Sequence, residues 1–248
     1  MNEPKAVLIV GATSAIARAA AAELARRGHA LFLTARDGEE LERIAADLRL
    51  RYELPVDAEP FDLADVDAHA ALLQKVEASA GPLFGVVLAS GSLGDAGRTR
   101  EDEAETERLL HINFTAPTLL LNRIARSLES RGEGFIVGIG SVAGDRGRQS
   151  NYVYGSAKGG LALYLQGLRN RLSVAGVQVL TVKPGFVDTA MTYGLPGLFL
   201  VASPQRVARD IANALNKGRD TLYTPWFWRW IMFVIRSIPE RVFKRLSL

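Results

Sequence analysis

Apolar residues follow two patterns along the chain. In the first, short runs are apolar almost throughout: residues 6–10 (Ala6-Val7-Leu8-Ile9-Val10), 29–34, a segment ending near Phe61-Asp62, 84–89, 134–139 and 177–182. Runs of this length without polar alternation fit strands buried on both faces, the habit of a parallel sheet. In the second, longer segments read as helices: an alanine-rich stretch reaching Arg27 and closed by Gly28, then residues 39–51, 101–129 and 151–175. A glycine just past the last helical residue is a stop signal. Strands and helices alternate, which predicts an α/β chain with a doubly wound parallel sheet and right-handed crossovers. No repeat or low-complexity linker interrupts the pattern. One domain is expected over residues 1–221, with 222–248 as a hydrophobic, basic C-terminal extension of the same domain.

Composition narrows the function classes. The 248 residues are 48% hydrophobic and 23% charged, which is globular rather than disordered or fibrous. Cysteine is absent, so disulfides, thiolate metal sites and cysteine nucleophiles are excluded together. His29, His69 and His111 are too scattered for a metal cluster, and no metal is expected. The chain carries +3, yet Arg229, Arg236, Arg241, Lys244 and Arg245 against Glu240 put +4 in the last 27 residues. The body is therefore close to neutral, and nucleic-acid binding is not expected. The first residues lead straight into a strand with no room for a signal peptide, so a cytoplasmic protein is expected.

In doubly wound sheets, ligands sit beyond the carboxyl ends of the strands. The first run ends in Gly11-Ala12-Thr13-Ser14-Ala15-Ile16-Ala17, a strand-to-helix turn. The free N–H groups and positive dipole end there suit a pyrophosphate, making Gly11, Thr13, Ser14, Ala15 and Ile16 candidate cofactor contacts. Two glycines of the G-x-x-x-G-x-G spacing stand here as Ala15 and Ala17, and an ordinary tight turn would also explain Gly11. Arg36 and Asp37 follow the second run. An arginine there accommodates the 2′-phosphate of NADP, and an acidic residue holds the ribose of NAD. Arg36, first in line, favours NADP(H); Asp37 keeps NAD(H) open. Asp62, with Leu63, follows the third run and is placed either to accept from an adenine amino group or to cap a helix starting at Leu63. Ala89-Ser90-Gly91 allows close backbone approach to a cofactor.

The other chemistry lies further on. Ser141 follows the fifth run, and Tyr154 and Lys158 stand at i and i+4 on one helix face. A phenol titrating near 10 is a poor acid–base group, and a neighbouring ammonium lowers that value. Ser141 is placed to hold a substrate oxygen against Tyr154, which would exchange a proton with it as hydride moves. Asn113 is placed to hold a water in a relay to Lys158, or is an ordinary helix residue before Pro117.

These residues, in this order, resemble the single-domain branch of the short-chain dehydrogenase/reductase family over about residues 5–215. The resemblance implies a Rossmann-like fold and a catalytic tetrad of Asn113, Ser141, Tyr154 and Lys158. It implies that Pro184, Gly185, Val187 and Thr189, in a segment closing over a nicotinamide, contact the cofactor. It also implies a homodimer or homotetramer. Ala15 and Ala17, and Ala89-Ser90 where two asparagines are common, depart from the family pattern; the Ala15 methyl would narrow the pyrophosphate approach.

The tail is the most unusual stretch. All three tryptophans fall within Trp226-Phe227-Trp228-Arg229-Trp230, followed by Ile231-Met232-Phe233-Val234-Ile235-Arg236. That run is too short to span a bilayer. An amphipathic helix with basic neighbours suits peripheral contact with the cytoplasmic face of an inner membrane; docking on the core or on another subunit explains the same residues. Residues 94–96, 143–146, 153–156 and 238–246 resemble a branch that reduces a keto sugar carried on a polyprenyl phosphate in cell-wall synthesis. Arg146 and Arg148 are then placed to meet the phosphate, or lie in a solvated loop. The apolar side chains Leu195, Leu198, Phe199, Leu200 and Val201 in loop 190–202 suit a hydrophobic substrate or a lid. The expected activity is hydride transfer between a nicotinamide and an amphipathic carbonyl or alcohol. Hydroxysteroid or fatty-alcohol oxidation, and a non-catalytic cofactor-sensing scaffold, are the alternatives.

Overall fold

The computed structural model describes residues 5–194 and 197–246. Its strands are β1 (Ala6–Val10), β2 (Ala30–Ala35), β3 (Val56–Pro60), β4 (Leu83–Leu88), β5 (Phe135–Ile139), β6 (Gln178–Pro184) and β7 (Thr221–Thr224). They form one parallel sheet in the order β3-β2-β1-β4-β5-β6-β7. The order reverses between β1 and β4, and a crevice opens there beyond the strand ends. Every residue of β1, β2 and β5 is buried, as continuous apolar runs require, whereas the edge strand β3 is mostly half-exposed.

The helices are α1 (Ala15–Arg26), α2 (Gly38–Tyr52), α3 (Ala68–Ala80), α4 (Arg98–Glu101), α5 (Glu103–Leu110), α6 (Ala116–Arg131), α7 (Tyr152–Ser173), α8 (Pro204–Asn216), α9 (Trp228–Ser237) and α10 (Glu240–Phe243). Two cores result. On one face, Leu24 of α1, Leu41 and Ile44 of α2 and Ile211 of α8 pack on Ile9, Leu33 and Val137. On the other, Val76 of α3, Leu120 and Ile124 of α6 and Leu161 and Leu165 of α7 pack on Leu8, Val86 and Ile136.

Three local expectations change. Residues 101–129 are not one helix: Asp102 adopts an extended backbone and accepts from the N–H groups of Ala104 and Glu105, which ends α4 and starts α5. A π-turn over His111–Thr115 then leads into α6. Pro117 follows it and has no N–H, so the regular ladder could not be continued there in any case. No helix begins at Leu63. The Asp62 carboxylate accepts from Ala64 N at 3.0 Å and closes a turn, and α3 starts only at Ala68. Finally, β7 pairs with β6 from Thr181↔Thr221 to Pro184↔Thr224, so an extension counted from Leu222 starts inside the sheet.

The tail then folds back. Trp228 and Met232 of α9 are buried against Val142, with Phe186, Tyr223 and Phe227 packed around them. Arg146 secures the far end. Its Nη1 donates to the carbonyls of Ile235 (3.0 Å), Arg236 (3.0 Å) and Ile238 (2.7 Å), and its Nη2 meets Glu240 at 2.9 Å. Its guanidinium also lies 3.9 Å from the Phe243 ring centre. These carbonyls lie at the C-terminal end of α9, where a cation complements the dipole. Arg146 is therefore a clasp for the tail, and the expectation that it meets a substrate phosphate is corrected.

Candidate active site

β5 delivers the chain to Ser141, and a 3-10 turn (Val142–Asp145) follows. The Ser141 hydroxyl accepts from Ala143 N at 3.1 Å, which leaves its own hydrogen free to donate. The turn rests backbone to backbone on α7. A Cβ at Gly155 would lie 2.9 Å from the Ala143 carbonyl, one at Gly159 2.9 Å from the Gly144 carbonyl, and one at Gly144 2.6 Å from Gly159 N. Three glycines thus bring Ser141 onto the helix that carries Tyr154 and Lys158.

Both of those side chains are buried. Lys158 donates to the Ile139 carbonyl at 3.0 Å, and its nitrogen lies 5.9 Å from the Tyr154 ring centre. Burial holds the ammonium down at about 8. Burial also pushes the phenol up to about 12, with the Ser141 hydroxyl pulling partly the other way. The expected net lowering of Tyr154 is therefore corrected: burial is the larger effect. The ammonium is directed at a carbonyl of β5, and the phenol loses more by leaving water than its neighbours return.

Asn113 is fully buried in the π-turn. Its amide donates to the carbonyls of Ser92 (2.8 Å) and Leu109 (2.9 Å), and its Oδ1 accepts from Ser92 N at 3.2 Å. The side chain expected to hold a water is thus occupied in bracing the loop after β4. A Cβ at Gly91 would lie 2.8 Å from Asn113 Oδ1 and 3.1 Å from Lys158 Nζ, so glycine is what allows this loop to pass both.

A continuous cleft of about 1110 Å³ runs past these groups. Its lining includes Thr13, Ser14, Ala15, Ile16, Ala89, Gly91, Ser141, Tyr154, Lys158, Pro184, Gly185, Val187 and Thr189, bringing both expected ends of the site together. Gly11 sits beneath it at φ +84, with room for a Cβ only 2.7 Å from Ser90 Oγ, so glycine is required there. Arg36, Asp62 and Leu63 lie outside this lining, at the ends of β2 and β3. Arg36 and Asp37 are exposed, and the Asp37 carboxylate caps α2 by accepting from Glu40 N at 3.0 Å.

The residues present fit a dinucleotide. Ser14 caps α1 by accepting from Ala17 N, leaving Ala15 and Ile16 with the open N–H groups of the first turn. Ala17 points into the core, so of the two alanines only Ala15 narrows the phosphate approach. Thr13 to Ile16 would hold the pyrophosphate, and Pro184 to Thr189 the nicotinamide end.

Several lining residues carry no motif. Arg148, Asn151 and Trp228 line the cleft. The Trp228 indole lies so close to Gly185 that a Cβ there would come within 1.9 Å of its Nε1. Phe199 packs on Phe186 and Trp228, with ring centres 5.6 Å from each. Loop 190–202 is pinned at its neck where Ala202 N donates to Phe186 O and Asp188 N to Ala202 O. Leu195 lies outside the described residues. Behind the Ser141 turn, Asp145 accepts from Lys183 at 2.5 Å and from Tyr223 at 2.7 Å, tying β6 and β7 to the site.

A doubly wound sheet with a helix-terminus phosphate cradle and a buried Ser–Tyr–Lys set defines a nucleotide-dependent oxidoreductase. The family model for short chain dehydrogenase matches residues 5–196, and the chain belongs to that family. It is 38% identical over 243 residues to the uncharacterized oxidoreductase Rv2073c of Mycobacterium tuberculosis, covering 97% of this chain and 96% of that one. A short-chain dehydrogenase from Sphingobium yanoikuyae in complex with NADPH superposes with a TM-score of 0.84 at 28% identity, over 95% of this chain and 97% of that one. The bulky-bulky ketone specific alcohol dehydrogenase from Comamonas testosteroni gives 0.81 at 25% identity, over 96% of each.

Proposed function

We propose that the protein is an NADPH-preferring reductase of a carbonyl on an amphipathic substrate. The observation that carries this reading is the meeting of Ser141 with buried Tyr154 and Lys158 in the cleft that also reaches the first turn of α1. A neutral phenol there is a proton donor, as carbonyl reduction needs. When bound, the nicotinamide supplies the hydride. Ser141 donates to the substrate oxygen and orients it. Tyr154 gives its proton to that oxygen, and the Lys158 ammonium stabilises the phenolate left behind. The Asn113 brace keeps the Gly91 loop against Lys158.

Preference for NADPH rests on β2. The Asp37 carboxylate, which would hold a ribose hydroxyl, is spent on the helix cap, and exposed Arg36 stands beside it. The NADPH-bound relative supports the same reading. Paired fluorescence titrations with NADPH and NADH test it. NADPH should bind more tightly, and Arg36→Ala should abolish the difference; equal binding of both by the unaltered protein would refute the preference. Tyr154→Phe should bind NADPH yet reduce no ketone.

The amphipathic substrate is argued from the tail. Buried Trp228 of α9 walls the cleft, while Trp230, Phe233 and Val234 of the same helix, and Trp226 just before it, are exposed. Arg229 and Arg236 lie in α9 and Arg241, Lys244 and Arg245 follow it in the chain; a basic side chain near anionic lipid contributes about 1 kcal/mol. No helix among the described residues is long and apolar enough to cross a membrane. Peripheral binding at a cytoplasmic membrane face would present a lipid-borne ketone to the cleft. The keto sugar reduced by decaprenylphosphoryl-2-keto-ribose reductase is one such substrate. Trp230→Ala with Phe233→Ala should abolish co-sedimentation with anionic vesicles; unchanged binding would refute the membrane contact.

A further inference from the structure

We infer that Arg148 forms an oxyanion subsite in the catalytic cleft, so that the carbonyl substrate carries a carboxylate or a phosphate. The inference rests on the reductase reading and names the substrate class for it. Arg148 lines the cleft together with Ser141, Asn151 and Tyr154. Its Nε and Nη2 are buried, and neither has a hydrogen-bond partner among the described residues. Those two nitrogens form one edge of the guanidinium fork, the edge that takes both oxygens of an oxyanion in parallel.

Buried donors in folded proteins are nearly always paired, so two unpaired donors on a residue that lines the cleft mark a place for a ligand. The neighbours sharpen the contrast. Arg146, two residues earlier on the same loop, is satisfied by three carbonyls and a carboxylate. Arg49, Arg131 and Arg169 also donate to backbone carbonyls. Asp145, the acid nearest Arg148 in the chain, has its oxygens engaged by Lys183 and Tyr223. Arg148 is thus left as a desolvated cation, which burial makes easier to deprotonate than an ordinary arginine. An arginine nevertheless keeps its charge in a protein, so an anion is what this edge recognises.

Two further buried polar atoms without partners belong to residues of the same cleft: Asn151 Oδ1, an acceptor, and Trp228 Nε1, a donor. They suit hydroxyl or carbonyl groups on the same molecule. Leu93, Val142 and Phe186 supply apolar wall for the rest. The substrate so described has an oxyanion, further oxygen functions and an apolar part.

The test is calorimetric binding to the NADP⁺-saturated protein and needs no turnover. One arm compares 4-acetylbenzoate with its methyl ester; the other compares 4-acetylphenyl phosphate with 4-methoxyacetophenone. At least one anion should bind about tenfold or more tightly than its neutral counterpart, the size expected for charge-assisted hydrogen bonds. The favoured arm identifies carboxylate or phosphate. Arg148→Met should bring the ratio close to one, and Arg148→Lys, which keeps the charge but not the fork, should retain part of it. Equal binding within both pairs, a preference that survives in Arg148→Met, or no binding of either anion overturns the subsite. If Arg148→Met does not fold, the ratios of the unaltered protein and of Arg148→Lys decide. Failure of the reductase reading would appear separately, as no NADPH oxidation with any ketone.

Discussion

Replacing Lys158 with methionine should make the protein more stable and inactive at once. Burial lowers this lysine from 10.5 to about 8. At 1.36 kcal/mol per unit, that difference is about 3 kcal/mol of strain carried by the folded state while the group is charged. Methionine occupies similar volume without the charge. It forfeits the hydrogen bond to the Ile139 carbonyl, which costs about 1–2 kcal/mol. The net gain at pH 7 is about 1–2 kcal/mol. The sign of its pH dependence follows from linkage. Between about 8 and 10.5 the unfolded lysine holds a proton that the folded one has released, so native stability rises with pH across that window. Methionine has nothing to release, and its advantage should shrink to nothing or reverse by pH 10. Urea unfolding of both proteins at pH 7 and pH 10 measures this, with NADPH oxidation followed in parallel. A variant less stable at pH 7, or a stability difference that ignores pH, would refute the claim that burial strains this ammonium.

The same group should shape the reaction: the rate of carbonyl reduction should fall as pH passes about 8, where Lys158 loses its proton, and kcat/KM profiles check this. Arg146→Met should free the end of α9, cost about 1–3 kcal/mol through the lost bonds to the Arg236 and Ile238 carbonyls and to Glu240, and raise hydrogen exchange over residues 235–243. Gly185→Ala should displace the Trp228 ring and cost about 1–3 kcal/mol in thermal unfolding. Trp228→Ala should be less than additive with it, because the clash is already gone.

Much of this architecture is legible without coordinates, for identifiable reasons. β1, β2 and β5 are fully buried strands, β4 and β6 are nearly so, and all five read as apolar runs, while Tyr154 and Lys158 share a face because helical spacing is local. The missed parts depend on distant partners. β7 is four residues long, and only its pairing with β6 makes it a strand. Arg146 looks like any loop arginine until a helix terminus 89 to 94 residues later arrives beside it. The break between α4 and α5 rests on Asp102, a single capping residue inside an otherwise helical pattern. The Tyr154 shift ran against expectation because i, i+4 spacing says nothing about burial. Trp228 carries no motif; an aromatic cluster beside a basic tail was the available signal, and it pointed outward as well as inward.

The glycines between the Ser141 turn and α7 have a consequence for how the enzyme can change. Because main chain meets main chain there, the spacing of the proton-handling groups does not depend on the size of any neighbouring side chain. The aromatic part of the wall, by contrast, is made of side chains: Phe186 and Trp228, with Phe199 packed on both. Substrate range can therefore drift on that wall while the chemistry stays in register. Laboratory evolution toward new ketones should gather its substitutions at those aromatics and leave Gly144, Gly155 and Gly159 untouched.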